Sequence, residues 1–231
     1  MAPPAVNRMV RGKSSTNFHF NSPLFAGTYV PAFYFMKPFS EACEENKQPI
    51  LDVLQEHLRD RRHVLEIGSG TGQHAVYFAQ QLPHIFWQTS DREENHAGIH
   101  AWLNDTPLEN VFPPLALDVL EDAWPTQQYD AVFSANTTHI MSWQAVEAMF
   151  AGIAKVLSSE GVFCLYGPFN IDGRYTAESN ARFDTFLKNR DPLSGIRDMV
   201  DLKRLAETHQ LTFMQDIEMP VNNRILVWQK N

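Results

Sequence analysis

Only two cysteines, Cys43 and Cys164, occur in the 231 residues of this chain. They are too few for a disulfide framework and lack the paired spacing of a zinc site, so the sequence points to a reducing, cytoplasmic setting. Long apolar runs are missing too. Nothing approaches the ~20 residues that cross a bilayer, and no membrane partner is expected. An excess of positive charge is equally absent: the formal net charge of −8 argues against a broad phosphate-binding surface, and so against nucleic acid. A small-molecule substrate is the remaining expectation. Oligomeric state leaves no mark on the sequence.

Acidic residues are missing from the first forty positions, where Arg8, Arg11, Lys13 and Lys37 are basic and Pro, Ser and Asn are scattered. This composition has no helical period and reads as a flexible extension over residues 1–35, with an aromatic cluster around Phe33 able to dock. A more ordinary start opens at Met36. Residues 36–231 then read as one domain, because a chain of this size with 44% hydrophobic residues buries one sizeable core rather than two.

From Ser40 onward, helical and extended patterns alternate, the order that builds a mostly parallel sheet with helices on both faces. Ser40 opens one helix, and Pro49 is placed to open a second, with Ile50, Leu51, Leu54 and Leu58 as its apolar stripe. Strand one is His63 to Ile67, followed by a helix from Gln73 to Gln81. Strand two runs from Ile85 to Thr89, and the helix from Glu94 to Leu103 is expected to bury Ile99, Trp102 and Leu103. Strand three, Leu115 to Leu117, follows a bend at Pro113-Pro114, and strand four is Ala131 to Ser134. Ser142 caps a helix whose 3.6-residue period runs through Val156, and Gly161 ends that segment before strand five, Val162 to Tyr166. Helices near Asn180 to Lys188 and Asp198 to His209 precede a closing pair, Leu211 to Glu218 and Arg224 to Gln229. The sum is an α/β, Rossmann-like fold with a seven-stranded sheet and an antiparallel C-terminal hairpin.

What the sequence has in concentration is glycine at one place: Val64-Leu65-Glu66-Ile67-Gly68-Ser69-Gly70-Thr71-Gly72. An apolar strand ends in an acid, glycines follow at alternate positions, and a helix begins at Gln73. Bare main chain there lets a ligand lie close, and the amides of the new helix face it. The dinucleotide fingerprint G-x-G-x-x-G requires glycine where Gln73 stands, so a pyrophosphate fits poorly. Ligands of open parallel sheets lie beyond the carboxyl ends of the strands, and those ends are polar here. Asp91 follows strand two, nineteen residues beyond Gly72, near the spacing of about 20 at which an acid takes ribose hydroxyls; a helix-capping role is the alternative. Asp118 and Val119 follow strand three, where an acid and adjacent main chain can grip an adenine amino group. Strand four ends in Asn136-Thr137-Thr138-His139, and strand five in Tyr166-Gly167-Pro168-Phe169-Asn170.

In order and spacing, the glycine loop, Asp91, Asp118 and the end of strand four resemble the class I S-adenosylmethionine-dependent methyltransferases. From Met36 onward the chain looks like a poorly characterised methyltransferase-like group. That likeness rests on Ser40-Glu41-Ala42-Cys43-Glu44-Glu45-Asn46-Lys47-Gln48-Pro49-Ile50-Leu51, Gly70-Thr71-Gly72-Gln73-His74-Ala75, Tyr166-Gly167-Pro168-Phe169 and Gly195-Ile196-Arg197-Asp198. It implies S-adenosylmethionine as cofactor, with Glu66, Gly68, Ser69, Gly70, Thr71, Gly72, Asp91, Asp118, Val119 and Asn136 at its site. His139 is the candidate general base, against packing or capping before Ser142, and Tyr166 the candidate positioning residue, against simple packing. Asn170, Arg174 and Arg197 are expected in a substrate lid, the arginines suited to an acidic acceptor or merely solvated. His96 and His100 share a helix face without a third ligand, so no metal is expected. The rivals are an S-adenosylmethionine-binding sensor or partner subunit without activity, and a nicotinamide oxidoreductase.

Overall fold

The structure, a computed structural model, describes residues 37–231. The expected extension at 1–35 lies outside the described residues.

Ser40 caps α1 (Glu41–His57), its side chain accepting the Cys43 N–H. The two helices expected here are one, with Pro49 inside it. A mid-helix proline costs about 3 kcal/mol, but Ile50, Leu51 and Leu54 are fully buried on the same helix and each contributes roughly 1.5–3 kcal/mol. Packing outweighs the local penalty. After β1 (His63–Ile67) and α2 (Gln73–Gln81), β2 (Phe86–Asp91) runs two residues beyond the expected end and carries Asp91 as its last residue. A 3₁₀ turn, Glu93–Asn95, precedes α3 (His96–Asp105), which buries Ile99 and leaves Trp102 and Leu103 half-buried.

The next strand, β3 (Val111–Ala116), contains Pro113 and Pro114 instead of following them. Prolines are tolerated there because β3 is an edge strand, whose outward N–H groups have no ladder partner, and because its pairing with β2 shifts register between Gln88 and Ser90, opposite the two prolines. Side chains supply part of the pairing: Gln88 Nε2 donates to the Pro113 carbonyl and Thr89 Oγ1 to that of Phe112. Then come β4 (Tyr129–Ala135), α4 (Trp143–Val156) and β5 (Leu157–Gly167). Gly161 does not end the helix, which stops at Val156; it lies within β5, beside Glu160 at φ 62°, where the pairing with β4 shifts register. The chain finishes with β6 (Phe169–Asn170), α5 (Glu178–Arg190), β7 (Arg197–Asp198), α6 (Met199–Thr208), β8 (Leu211–Met219) and β9 (Asn223–Lys230).

Seven strands form one sheet in the order β3-β2-β1-β4-β5-β9-β8, and β6 pairs with β7 apart from it. The pairs from β3 to β5 are parallel, while β9 is antiparallel to both β5 and β8. Strand alternation divides the core in two. Leu65, Val132, Phe163 and Trp228 face α4 and α6, whereas Val64, Phe133, Cys164 and Val227 face α1 and α2. Strand order reverses beside β1, between β2 and β4, and a crevice opens beyond the carboxyl ends there. Among the described residues, no helix is long and apolar enough to cross a membrane.

Candidate active site

A cavity of about 910 Å³ occupies that crevice, near the upper end of the range for small-ligand sites. One wall is the loop between β1 and α2, where Gly68, Gly70 and Gly72 have φ of 73°, 58° and 88°. Added side-chain atoms would meet different fates at the three positions. A Cβ on Gly68 would stand 2.5 Å from Thr137 Cγ2, and one on Gly72 would stand 3.1 Å from Ile99 Cα; one on Gly70 would meet nothing within 4 Å. Close packing therefore demands the outer glycines, and the middle one leaves open space on the cavity wall.

The loop is tied to the end of β2. The N–H groups of Gly68 and Ser69 both donate to the Ser90 carbonyl at 3.0 Å, and Gly70 N–H donates to Asp91 Oδ2 at 2.7 Å. The other carboxylate oxygen, Oδ1, accepts from Arg92 N–H and Asn95 Nδ2. Oδ2 keeps a second lone pair that a ligand hydroxyl could fill. Glu66 is buried behind the loop, accepting from Ser69 Oγ at 2.8 Å and Trp87 Nε1 at 3.2 Å. Burial pushes its carboxyl up to about 7. Asp118 Oδ1 accepts the Leu120 N–H, which folds the segment after β3 into a turn on the cavity wall beside Val119. Asn136, at φ 58°, donates its N–H to the Tyr166 carbonyl and joins the ends of β4 and β5.

Of the residues singled out from the sequence, Gly68, Ser69, Gly70, Thr71, Asp91, Asp118, Val119, Asn136, His139 and Tyr166 line the cavity together. Glu66 and Gly72 stand behind the wall and shape it. The proposed lid residues are placed differently. Arg197 spends its guanidinium on the carbonyls of Thr138, Met141 and Leu193, strapping the segment after β4. Arg174 is exposed, and Asn170 sits in β6 with its Oδ1 buried and unpaired; none of the three reaches the cavity. Burial, with the Arg197 charge behind the ring, pulls His139 down to about 4. Its Nδ1 is buried without a partner among the described residues, and its ring stands edge-on to Phe183 at 5.3 Å.

The sequence reading missed the wall made by α1. Cys43, Asn46 and Pro49 line the cavity from it, and Asn46 Oδ1 lies 2.7 Å from Nε2 of His74, itself buried on α2. Burial pulls His74 down to about 4 and keeps it neutral. Spacing of three and four residues among Cys43, Asn46 and Ile50 was the available signal, since it puts them on one helix face. Gln73 is what fixes that wall: its carboxamide accepts the Ser40 N–H at 2.5 Å and donates to the Ser40 carbonyl at 3.2 Å. The residue that departs from the dinucleotide fingerprint clips α1 onto the glycine loop. Among the described residues, no group of three His, Cys, Asp or Glu side chains is placed to hold a metal ion.

Solved structures with this fold include an O-methyltransferase family protein from Burkholderia thailandensis, with a TM-score of 0.72 and 16% identity over 82% of this chain and 57% of that one. An O-methyltransferase family 2 protein from Planctomyces limnophilus, in complex with apigenin, matches with a TM-score of 0.71 and 14% identity over 80% of this chain and 56% of that one. Human N-acetylserotonin methyltransferase in complex with SAM gives 0.70 and 14%, over 83% and 53%. The chain spans somewhat more than half the length of these proteins, and at such identities the likeness is one of fold. A family profile matches over residues 37–230, and the chain belongs to that family, described as Protein of unknown function (DUF938).

Proposed function

We propose that this protein is an S-adenosylmethionine-dependent methyltransferase acting on a small molecule. The observation that carries the reading is Gly70: a left-handed glycine with open space where a Cβ would be, on a cavity wall shared with Asp91 and Asp118. These residues fit the cofactor. Asp91 would take the ribose hydroxyls, Asp118 with the main chain at Val119 the adenine, and the Gly68 to Thr71 backbone the methionine end. When bound, S-adenosylmethionine supplies an electrophilic methyl group, whose transfer leaves sulfur with the bonding pair and releases a proton from a protic acceptor.

The chain's own task is to hold the acceptor in line and to exclude water, which alone can supply much of the acceleration. His139 and Tyr166 face the cavity beyond the glycine loop, at the ends of β4 and β5. Burial keeps His139 neutral, and it also makes the ring a reluctant base. Its proposed role is therefore to accept a hydrogen bond from the acceptor and to take the proton only as transfer makes that proton acidic. Thermal unfolding tests the cofactor assignment. S-adenosylhomocysteine should raise the midpoint while nicotinamide nucleotides do not, and Gly70→Val should abolish the shift. Tight binding of NAD with no response to S-adenosylmethionine would refute the reading.

A further inference from the structure

The cavity has a second half, away from the glycine loop, bounded by α1, α5 and the turn between β8 and β9. Its polar side chains include Asn46, His74, His139, Tyr166, Asn180 and Asn223. All six are uncharged at neutral pH, the two histidines because burial holds them neutral. Arg92 alone among the described lining residues carries a positive charge; it stands beside Asp91 and is paired with Glu94. Arg197 lies behind His139 with its guanidinium committed to three carbonyls. Carboxylates, by contrast, line the space at Glu45, Asp91 and Asp118. An anion brought here would lose its hydration without gaining an unpaired cation from the described side chains, an arrangement a buried charge tolerates poorly.

The hydrogen-bonding directions add a second constraint. Asn180, 5% exposed, uses its Nδ2 hydrogens on Thr176 Oγ1 at 2.9 Å and on the Asn222 carbonyl at 3.3 Å. The carbonyl partner fixes that orientation, so Oδ1 is the atom left to offer a ligand. His139, also 5% exposed, has an Nδ1 with no partner among the described residues. Asn180 Oδ1 is an acceptor waiting for a donor, and the neutral His139 ring has one acceptor nitrogen of its own. The same contacts hold the site's outer edge in place: Asn222 also donates to Ser179 Oγ at 3.2 Å, latching the β8–β9 turn to the start of α5.

Resting on the methyltransferase reading, we infer that the methyl acceptor is a molecule without negative charge that carries its own O–H or N–H donors, bound between α1, α5 and the β8–β9 turn, and that carboxylate- and phosphate-bearing metabolites are excluded. Asn180 Oδ1 receives one of its donors. Phe183, edge-on to His139, gives it an apolar face to lie against.

The test divides a metabolite extract on an anion-exchange resin and offers each fraction to the full-length protein with methyl-labelled S-adenosylmethionine. In parallel, each fraction is added to the protein saturated with S-adenosylhomocysteine and the thermal midpoint is read. Label should enter the unretained fraction at least tenfold more than the retained one, and only the unretained fraction should raise the midpoint further. Val221→Lys puts a cation on the wall at a side chain that is 79% exposed and lines the cavity. That variant should raise labelling of the retained fraction several-fold. Label or a midpoint shift confined to the retained fraction overturns the inference while leaving the methyltransferase reading intact, and so does a complete lack of response to both fractions in protein that still binds S-adenosylhomocysteine. Failure to bind S-adenosylhomocysteine at all overturns the methyltransferase reading and the inference with it.

Discussion

Gly68→Ala is the substitution whose cost can be assembled from the structure and then dismantled. Two penalties combine at this position. A residue with a Cβ at φ 73° costs roughly 1–2 kcal/mol, and a methyl placed 2.5 Å from Thr137 Cγ2 forces an overpacked contact worth about 1–3 kcal/mol. Together these predict a loss of roughly 2–5 kcal/mol in unfolding free energy. Thr137→Ser separates the two. It removes the clashing methyl while keeping the hydroxyl that pairs with Ser134 Oγ at 2.7 Å, and alone it should cost about 1 kcal/mol for the lost methyl. In the double variant the alanine methyl fills the vacated space, so only the backbone penalty of about 1–2 kcal/mol remains. Equilibrium urea unfolding of the four proteins measures the coupling. Additivity within about 0.5 kcal/mol would show that Gly68 and Thr137 are not in close contact, and with it would go the account of how the loop after β1 is braced against the end of β4.

Three further outcomes follow from the site's chemistry. Glu66 is raised from 4.5 to about 7 by burial, so the folded state binds the extra proton; stability is full below pH 4.5 and falls by roughly 3 kcal/mol as pH rises through about 7. His74 and His139, depressed from 6.5 to about 4, act in the opposite sense and contribute stability that is present above pH 6.5 and lost as pH falls toward 4. Unfolding measured from pH 4 to 8 should therefore rise and then flatten or fall, and Glu66→Gln should remove the decline; a decline that persists in the variant assigns it elsewhere. His139→Ala should lower turnover by roughly 10²–10⁴ with S-adenosylhomocysteine affinity unchanged, and His139→Gln, which keeps an acceptor, should recover part of the loss if orientation is the main role; equal losses in both would point to proton transfer. Arg197→Ala should cost about 2–4 kcal/mol of stability by freeing the Thr138, Met141 and Leu193 carbonyls, and a purely kinetic effect at unchanged stability would return Arg197 to substrate recognition.

How much of this was legible in the sequence depends on whether the information was local. His63–Ile67 and Gln73–Gln81 appear with the bounds their apolar periods predict, because Gly68 ends the first and Gly72 opens the second. Pro113 and Pro114 misled for the opposite reason: their effect on a strand depends on whether it lies at the edge, which only the finished sheet decides. Pro49 is the same case in a helix, its local penalty overridden by the burial of Ile50, Leu51 and Leu54.

The candidate site residues divide along the same line. Those read from strand ends, Asn170 apart, converge on one cavity because a parallel sheet brings its carboxyl ends to one side, so order along the chain was enough. Arg174 and Arg197 were read from position alone, and position says nothing about where a guanidinium spends its donors. Carbonyls exposed by the segment after β4 claim those of Arg197, which leaves Arg92, paired with Glu94, as the one cation among the described residues of the cavity wall. The wall supplied by α1 was hidden because its placement rests on Gln73 gripping both backbone groups of Ser40, thirty-three residues earlier. Gln73 thus acts twice, denying the loop the glycine a pyrophosphate requires and holding over the cavity the helix whose Cys43 and Asn46 face the acceptor half.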